Sequence, residues 1–308
     1  MKWKQIFIMG GLALVLAGCT QGGSPDQSLD SVSKTRVVET TQEETKGRAP
    51  SLSDFINPEG TTLQERMIPP AGYTRVEASE GSFALFLRRY PMEPDGTPVF
   101  YFDKREKGGS GHAAVFSMEV GEEDLQQCAD SIMRIYAEYL YQSGKEDRIR
   151  FHFVDGFVCD FAKWRQGYRV RFLGDTPQWQ QTAQPDGGEE SFRKYLRIVF
   201  AYSSTLSMER EAEPLELSQL QAGDIFIKGG SPGHVVLVTD VCENEKGEKA
   251  FLLSQGFMPA QSFHVIKNPA HPEDPWYYEG EITYPFRTQN YTFPQGSFMR
   301  PVYLKEDG

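Results

Sequence analysis

The segment that most constrains this chain is LQAGDIFIKGGSPGHVVLVTDVCENEKGEKAFLLSQ, residues 220–255. Residues 234–242 (HVVLVTDVC) are rich in β-branched side chains, a polar ENEKGE turn follows, and residues 249–255 (KAFLLSQ) return as a partner strand. A shorter strand, 224–228, comes before them, separated by the Gly-Gly-Ser-Pro-Gly turn of 229–233. A hairpin centred on the polar turn sets Gln255 opposite or diagonal to His234, so an imidazole and a carboxamide meet at its end if they share a face. Such a pair fixes a histidine tautomer. Asp240 is expected on the same strand face as His234 but six residues, roughly 20 Å, further along, too far to orient the ring.

The remaining pattern predicts a mixed α+β domain over residues 51–308, with no internal repeat. Residues 82–89 (SFALFLRR), 98–102 (PVFYF) and 113–118 read as strands from their β-branched and aromatic content. Residues 122–142 make the strongest helix: Leu125, Cys128, Ala129, Ile132, Tyr136, Tyr139 and Leu140 share one face, acidic residues open it and Gly144 stops it. This places Cys128 in the second turn, on the apolar face. Residues 150–153 and 158–161 form a hairpin around Asp155-Gly156, residues 175–190 read as a polar loop, and 191–203 as a second helix.

The N-terminus carries an address rather than fold information. Lys2 and Lys4 precede an apolar run, residues 6–16, that suits a signal peptide and is too short to span a membrane. Its ending, Leu16-Ala17-Gly18-Cys19, resembles the bacterial lipoprotein signal, which implies cleavage after residue 18 and a lipid anchor on Cys19. Residues 20–50 hold almost nothing to bury and read as a disordered tether with a span of roughly 30 Å. The expected organisation is therefore signal peptide 1–18, lipidated Cys19 with tether 19–50, and one domain 51–308, on the exported side of a bacterial membrane, the outer one if present. Losing 1–18 removes two lysines and takes the formal charge from −11 to −13. That acidity, without a basic stripe, argues against nucleic acid as a partner.

Several phrases in a fixed order resemble the uncharacterised bacterial family called domain of unknown function 4846: Gln127-Cys128-Ala129-Asp130, residues 137–141 (AEYLY), residues 223–227 (GDIFI), Gly230-Ser231-Pro232-Gly233-His234, residues 258–261 (MPAQ) and Lys267-Asn268-Pro269. A second, local resemblance joins Gly223-Asp224, a strand and a glycyl-His opening a hydrophobic strand. It is similar to NlpC/P60 and related papain-like peptidases and amidases of cell-wall peptides. That resemblance implies a papain-like antiparallel sheet packed against helices, with Cys128 as nucleophile, His234 as general base and Gln255 as its orienter. Gln-Cys-Ala-Asp stands here where that family has Asp-Cys-Ser-Gly.

Each candidate has a second use. Cys128 can be core packing, or can join Cys159 or Cys242 in a disulfide, and the three form an odd set once Cys19 is set aside. Gly230 and Gly233, with Asp224, are candidate substrate-binding positions; hairpin geometry needs the glycines equally. No His or Cys spacing suits a metal and no P-loop phrase completes a phosphate site, so neither metal nor cofactor is called for. The leading reading is an envelope-tethered cysteine hydrolase or transferase at an amide, such as cell-wall peptide. The alternatives are a non-catalytic binding protein for glycan, peptide or a partner protein, and a structural component of a surface complex.

Overall fold

The computed structural model describes residues 51–305. The expectations placed on 1–18, on Cys19 and on 20–50 lie outside the described residues. No helix among the described residues is long and apolar enough to cross a membrane.

The α-helices are α1 (Leu63–Arg66), α2 (Phe83–Arg88), α3 (Cys128–Gln142), α4 (Phe161–Arg165), α5 (Glu189–Tyr202) and α6 (Thr205–Arg210). The strands begin with β1 (Tyr73–Arg75), β2 (His112–Val115), β3 (Arg150–His152), β4 (Val158–Asp160), β5 (Tyr168–Leu173), β6 (Thr176–Gln181) and β7 (Ala212–Pro214). They continue with β8 (Ile225–Lys228), β9 (His234–Asn244), β10 (Lys249–Gln255), β11 (His264–Ile266), β12 (Tyr277–Tyr278), β13 (Phe286–Arg287), β14 (Thr292–Phe293) and β15 (Phe298–Pro301).

Nine strands form one antiparallel sheet in the order β2-β11-β10-β9-β8-β15-β7, with β1 added to β9 and β12 to β10. The class is α+β, as the sequence predicts. Strand β9 is the spine because its β-branched run is buried on both faces. Val235 and Leu237 join the core beneath α2 and α3, whereas Val236 and Val238 join Phe226, Phe251, Phe286 and Phe293 on the opposite face. Two-sided burial explains why β9 reads as a continuous apolar run rather than an alternating one.

A register shift between Leu252 and Leu253 opens a bulge in β9 around Thr239. One extra residue inverts the alternation beyond it. Asp240, expected on the face of His234, is therefore on the other one, paired with Leu252 and held by Arg75 at 2.6 Å and Arg88 at 2.7 Å.

Other expectations need correction. Residues 82–89 are helical, not extended: the Ser82 hydroxyl accepts from the Leu85 N–H at 3.2 Å, and Phe83 and Leu87, four apart, are buried on one face. A short apolar run fits either period, and packing chose the helix. Residues 98–102 make only isolated bridges, Phe100 to Glu106 and Tyr101 to Gln261. The loop expected over 175–190 contains β6, which pairs with β5 across a two-residue turn, Gly174-Asp175. Most of its side chains are exposed, so there was little burial pattern to read.

The main helix starts at Cys128 rather than Glu122. Gln127 is extended, the Asp130 carboxylate accepts from its N–H at 3.1 Å, and Asp124 instead accepts from the Ala260 N–H at 2.6 Å. Cys128 is thereby the first helical residue rather than a second-turn one, and it packs, partly buried, against the core.

Candidate active site

The β9–β10 hairpin delivers two of the predicted residues to one point. His234 opens β9, Gln255 closes β10, and the His234 Nε2 to Gln255 Oε1 distance is 2.8 Å, with both side chains buried. An amide oxygen only accepts, so Nε2 carries the proton and donates. Nδ1 keeps its lone pair.

The start of α3 is brought to the same place by the backbone of Gly256. A side chain there would meet Ser131 Oγ at 2.4 Å and the Gln127 carbonyl oxygen at 2.8 Å, so only glycine lets the end of β10 lie against the first turn. Cys128 follows Gln127 and is partly exposed. The backbone N–H groups of Ala129 and of Val235, the residue after His234, favour its thiolate, which sets the sulfur beside the start of β9. Its charge also acts on the Tyr291 phenol. Cys128 thus lies against the start of β9 on the α3 side of the sheet, whereas the His234 ring lies on the opposite face with Val236, Val238 and Phe293.

The His234 ring sits among Phe257, Tyr291 and Phe293, with ring centroids at 4.7, 5.3 and 6.1 Å. Tyr291 and Phe293 come from the β13–β14 hairpin, and the Tyr291 hydroxyl donates to the Pro232 carbonyl at 3.1 Å. This apolar enclosure governs protonation. Burial lowers His234 to about 4, against the partial support of Gln255, and Lys107 adds a smaller push in the same direction. Dense surroundings push the Cys128 thiol up to about 12, with Asp130 adding to the rise. At neutral pH the resting pair is a neutral thiol and a neutral imidazole, not an ion pair. Asp130, also raised by burial, to about 8, has its Oδ1 buried without a hydrogen-bond partner.

The other predicted positions have different surroundings. Asp224 lies at the opposite end of β8 from Lys228, which pairs with His234, and its carboxylate is occupied by Arg300 at 2.7 and 2.9 Å. A side chain on Gly233 would strike the Gly230 carbonyl at 2.3 Å and Thr205 Oγ1 at 2.5 Å, a packing need of the turn itself. Gly230 has φ of 105° and open space around it. Cys128, Cys159 and Cys242 are all free thiols, and the last two are buried. Among the described residues no group of three His, Cys, Asp or Glu could hold a metal ion.

Sequence reasoning missed three contributors. His264 pairs with Gln255 across β10–β11, and its Nε2 is 3.4 Å from Gln255 Nε2. Asn290 Oδ1 accepts from Gln255 Nε2 at 2.6 Å. Tyr291 covers the ring. Only His264 had a readable signal, since it stands nine residues after Gln255 beyond a Gly-Phe-Met-Pro turn; Asn290 and Tyr291 come from a distant hairpin.

A family model described as domain of unknown function (4846) matches residues 63–300, which spans the helix bearing Cys128 and the hairpin bearing His234 and Gln255. No curated protein and no solved structure matches the chain.

Proposed function

The chain belongs to the family described as domain of unknown function 4846, and from that premise, which names no activity, we propose that it is a cysteine-dependent amide hydrolase or transferase of papain-like type, tethered in the cell envelope. The observation that carries this reading is that His234, whose Nδ1 is bare when Gln255 Oε1 faces its Nε2, immediately precedes Val235, whose N–H favours the thiolate of Cys128 at the start of α3.

The neutral resting pair sets the order of events. As Sγ of Cys128 bonds to the substrate carbonyl carbon, its proton passes to Nδ1 of His234, so no free thiolate has to persist in the enclosure. Gln255 stabilises the imidazolium by accepting from Nε2, and the α3 N-terminus favours the developing negative charge. Collapse breaks the C–N bond and His234 returns the proton to the departing amine. Water or a second amine then releases the acyl group from sulfur, giving hydrolysis or transfer respectively.

The lipoprotein-like ending at Cys19 supports the envelope placement, with membrane contact through that lipid and cell-wall peptide as the amide substrate class. Cys128→Ala and His234→Ala should each abolish labelling by a thiol-reactive amide substrate mimic while the fold persists by circular dichroism. Undiminished labelling in both variants removes the proposal.

A second reading, a non-catalytic binder of glycan or peptide, is favoured by a separate observation. A cleft of about 1250 Å3 lies on the outer side of α3, lined by Phe86, Tyr90, Arg134, Tyr139 and Phe192 among others, and does not include Cys128 or His234. Saturable glycan binding that survives Cys128→Ala and is lost on Tyr139→Ala would favour that reading.

A further inference from the structure

The bond between His234 and Gln255 does not by itself decide which tautomer His234 adopts. A carboxamide turned by 180° presents Nε2 instead of Oε1, and a histidine facing that donor must offer a bare Nε2 and carry its proton on Nδ1. In that state Nδ1 has no lone pair for the thiol proton. Asn290 cannot settle the choice, because it is itself an amide and is exposed, free to offer either its oxygen or its nitrogen to Gln255.

One group in the network has a fixed sense. The Ser262 backbone carbonyl can only accept, and it stands 2.8 Å from Nδ1 of His264. The proton of His264 is therefore on Nδ1, and its Nε2 is bare. That bare nitrogen lies 3.4 Å from the Gln255 amide. It meets the amide's N–H favourably and would repel its oxygen. Gln255 Nε2 is thus held towards His264 and Asn290, and Oε1 towards His234. His264 is buried and shifted down to about 3, chiefly by desolvation, so it stays neutral across the working range and the sense of the chain is not reversed by protonation.

We propose that His264 is a positioning residue that, held by the Ser262 carbonyl, sets the tautomer of His234 through the Gln255 carboxamide, so that Nδ1 of His234 is kept bare. The proposal rests on the catalytic reading for its purpose but not for its test. Tautomers are read directly, without turnover.

Two-bond 1H–15N correlation of the histidine rings in the full chain at pH 7 separates protonated from bare ring nitrogen. The expected result is His264 protonated on Nδ1 and His234 protonated on Nε2. In His264→Phe the constraint is gone, and the Nδ1-protonated share of His234 should rise about fivefold, the effect of losing one ordinary hydrogen bond. Adding Asn290→Asp to that variant should restore the wild-type state, because a carboxylate can only accept and so turns Gln255 Nε2 back towards position 290. Rescue at a different position is not what a merely structural role for His264 gives.

Wild-type His234 protonated on Nδ1, or His264 protonated on Nε2, overturns the proposal, as does an unchanged ratio in folded His264→Phe. Should His264→Phe not fold, the wild-type spectrum still decides. Wild-type tautomers as proposed in a protein whose Cys128 proves inert would defeat the catalytic reading alone.

Discussion

His234 and His264 place two imidazoles where charging is costly, and the consequence is a pH-dependent stability. Both are shifted below the ordinary value of 6.5, to about 4 and about 3, mainly by desolvation. The unfolded chain therefore binds more protons than the folded one between about pH 3 and 6.5. Stability is present above 6.5 and is lost as pH falls through that window. For His234 alone the loss between pH 7 and pH 5 is about 2 kcal/mol. Urea unfolding at the two pH values should show His234→Gln losing less stability on acidification than the wild type by about that amount. Parallel losses in the two proteins would sink the assignment. The same burial explains what was legible at this scale. Hairpin register brought His234 and Gln255 to one end of the sheet, but the β9 bulge at Thr239 set them on one face, and the neutral state of the ring depends on Phe257, Tyr291 and Phe293, of which the last two arrive from a hairpin far along the chain.

At the scale of elements, the site depends on one close approach between the end of β10 and the first turn of α3. Gly256→Ala should destabilise the protein by about 1–3 kcal/mol, the usual cost of forcing a methyl into packed surroundings. Chemical denaturation measures it. Ser131→Ala added to that variant should recover less than half, since it relieves the hydroxyl contact but leaves the Gln127 carbonyl at 2.8 Å; full recovery would show the backbone contact to be unimportant. The sequence pattern gave β9 and β10 with little error, because eighteen residues of apolar strand around a polar turn admit few alternatives. It misplaced the start of α3 by six residues. Acidic residues at 122–124 look like a first turn, but Asp124 is used to hold Ala260 and Asp130 caps the helix instead. The shift takes Cys128 from the second turn to the helix N-terminus, where it still packs, partly buried, against the core.

Across the whole molecule, Asp240 fastens the N-terminal part of the domain to the sheet. Its carboxylate is fully buried and takes Arg75 from β1 and Arg88 from α2, partners 165 and 152 residues away in sequence. Removing that charge strands two arginines, one of them buried. Asp240→Asn is expected to cost about 3–5 kcal/mol, read from the urea midpoint; a change within 0.5 kcal/mol would show that the two guanidinium groups are satisfied elsewhere. The amino-acid sequence alone determined the α+β class and the β8–β9–β10 segment, because periodicity, turn chemistry and register act over a few residues. Tertiary structure decided the rest. The β9 bulge sends Asp240 to the face opposite His234 and sets His234 on the face of Gln255, packing makes 82–89 a helix, and β11 and the β13–β14 hairpin bring His264 and Asn290 around the Gln255 carboxamide. Those outcomes depend on which surfaces remain to be buried once the sheet has formed, and that is a property of the assembled chain rather than of any stretch of it.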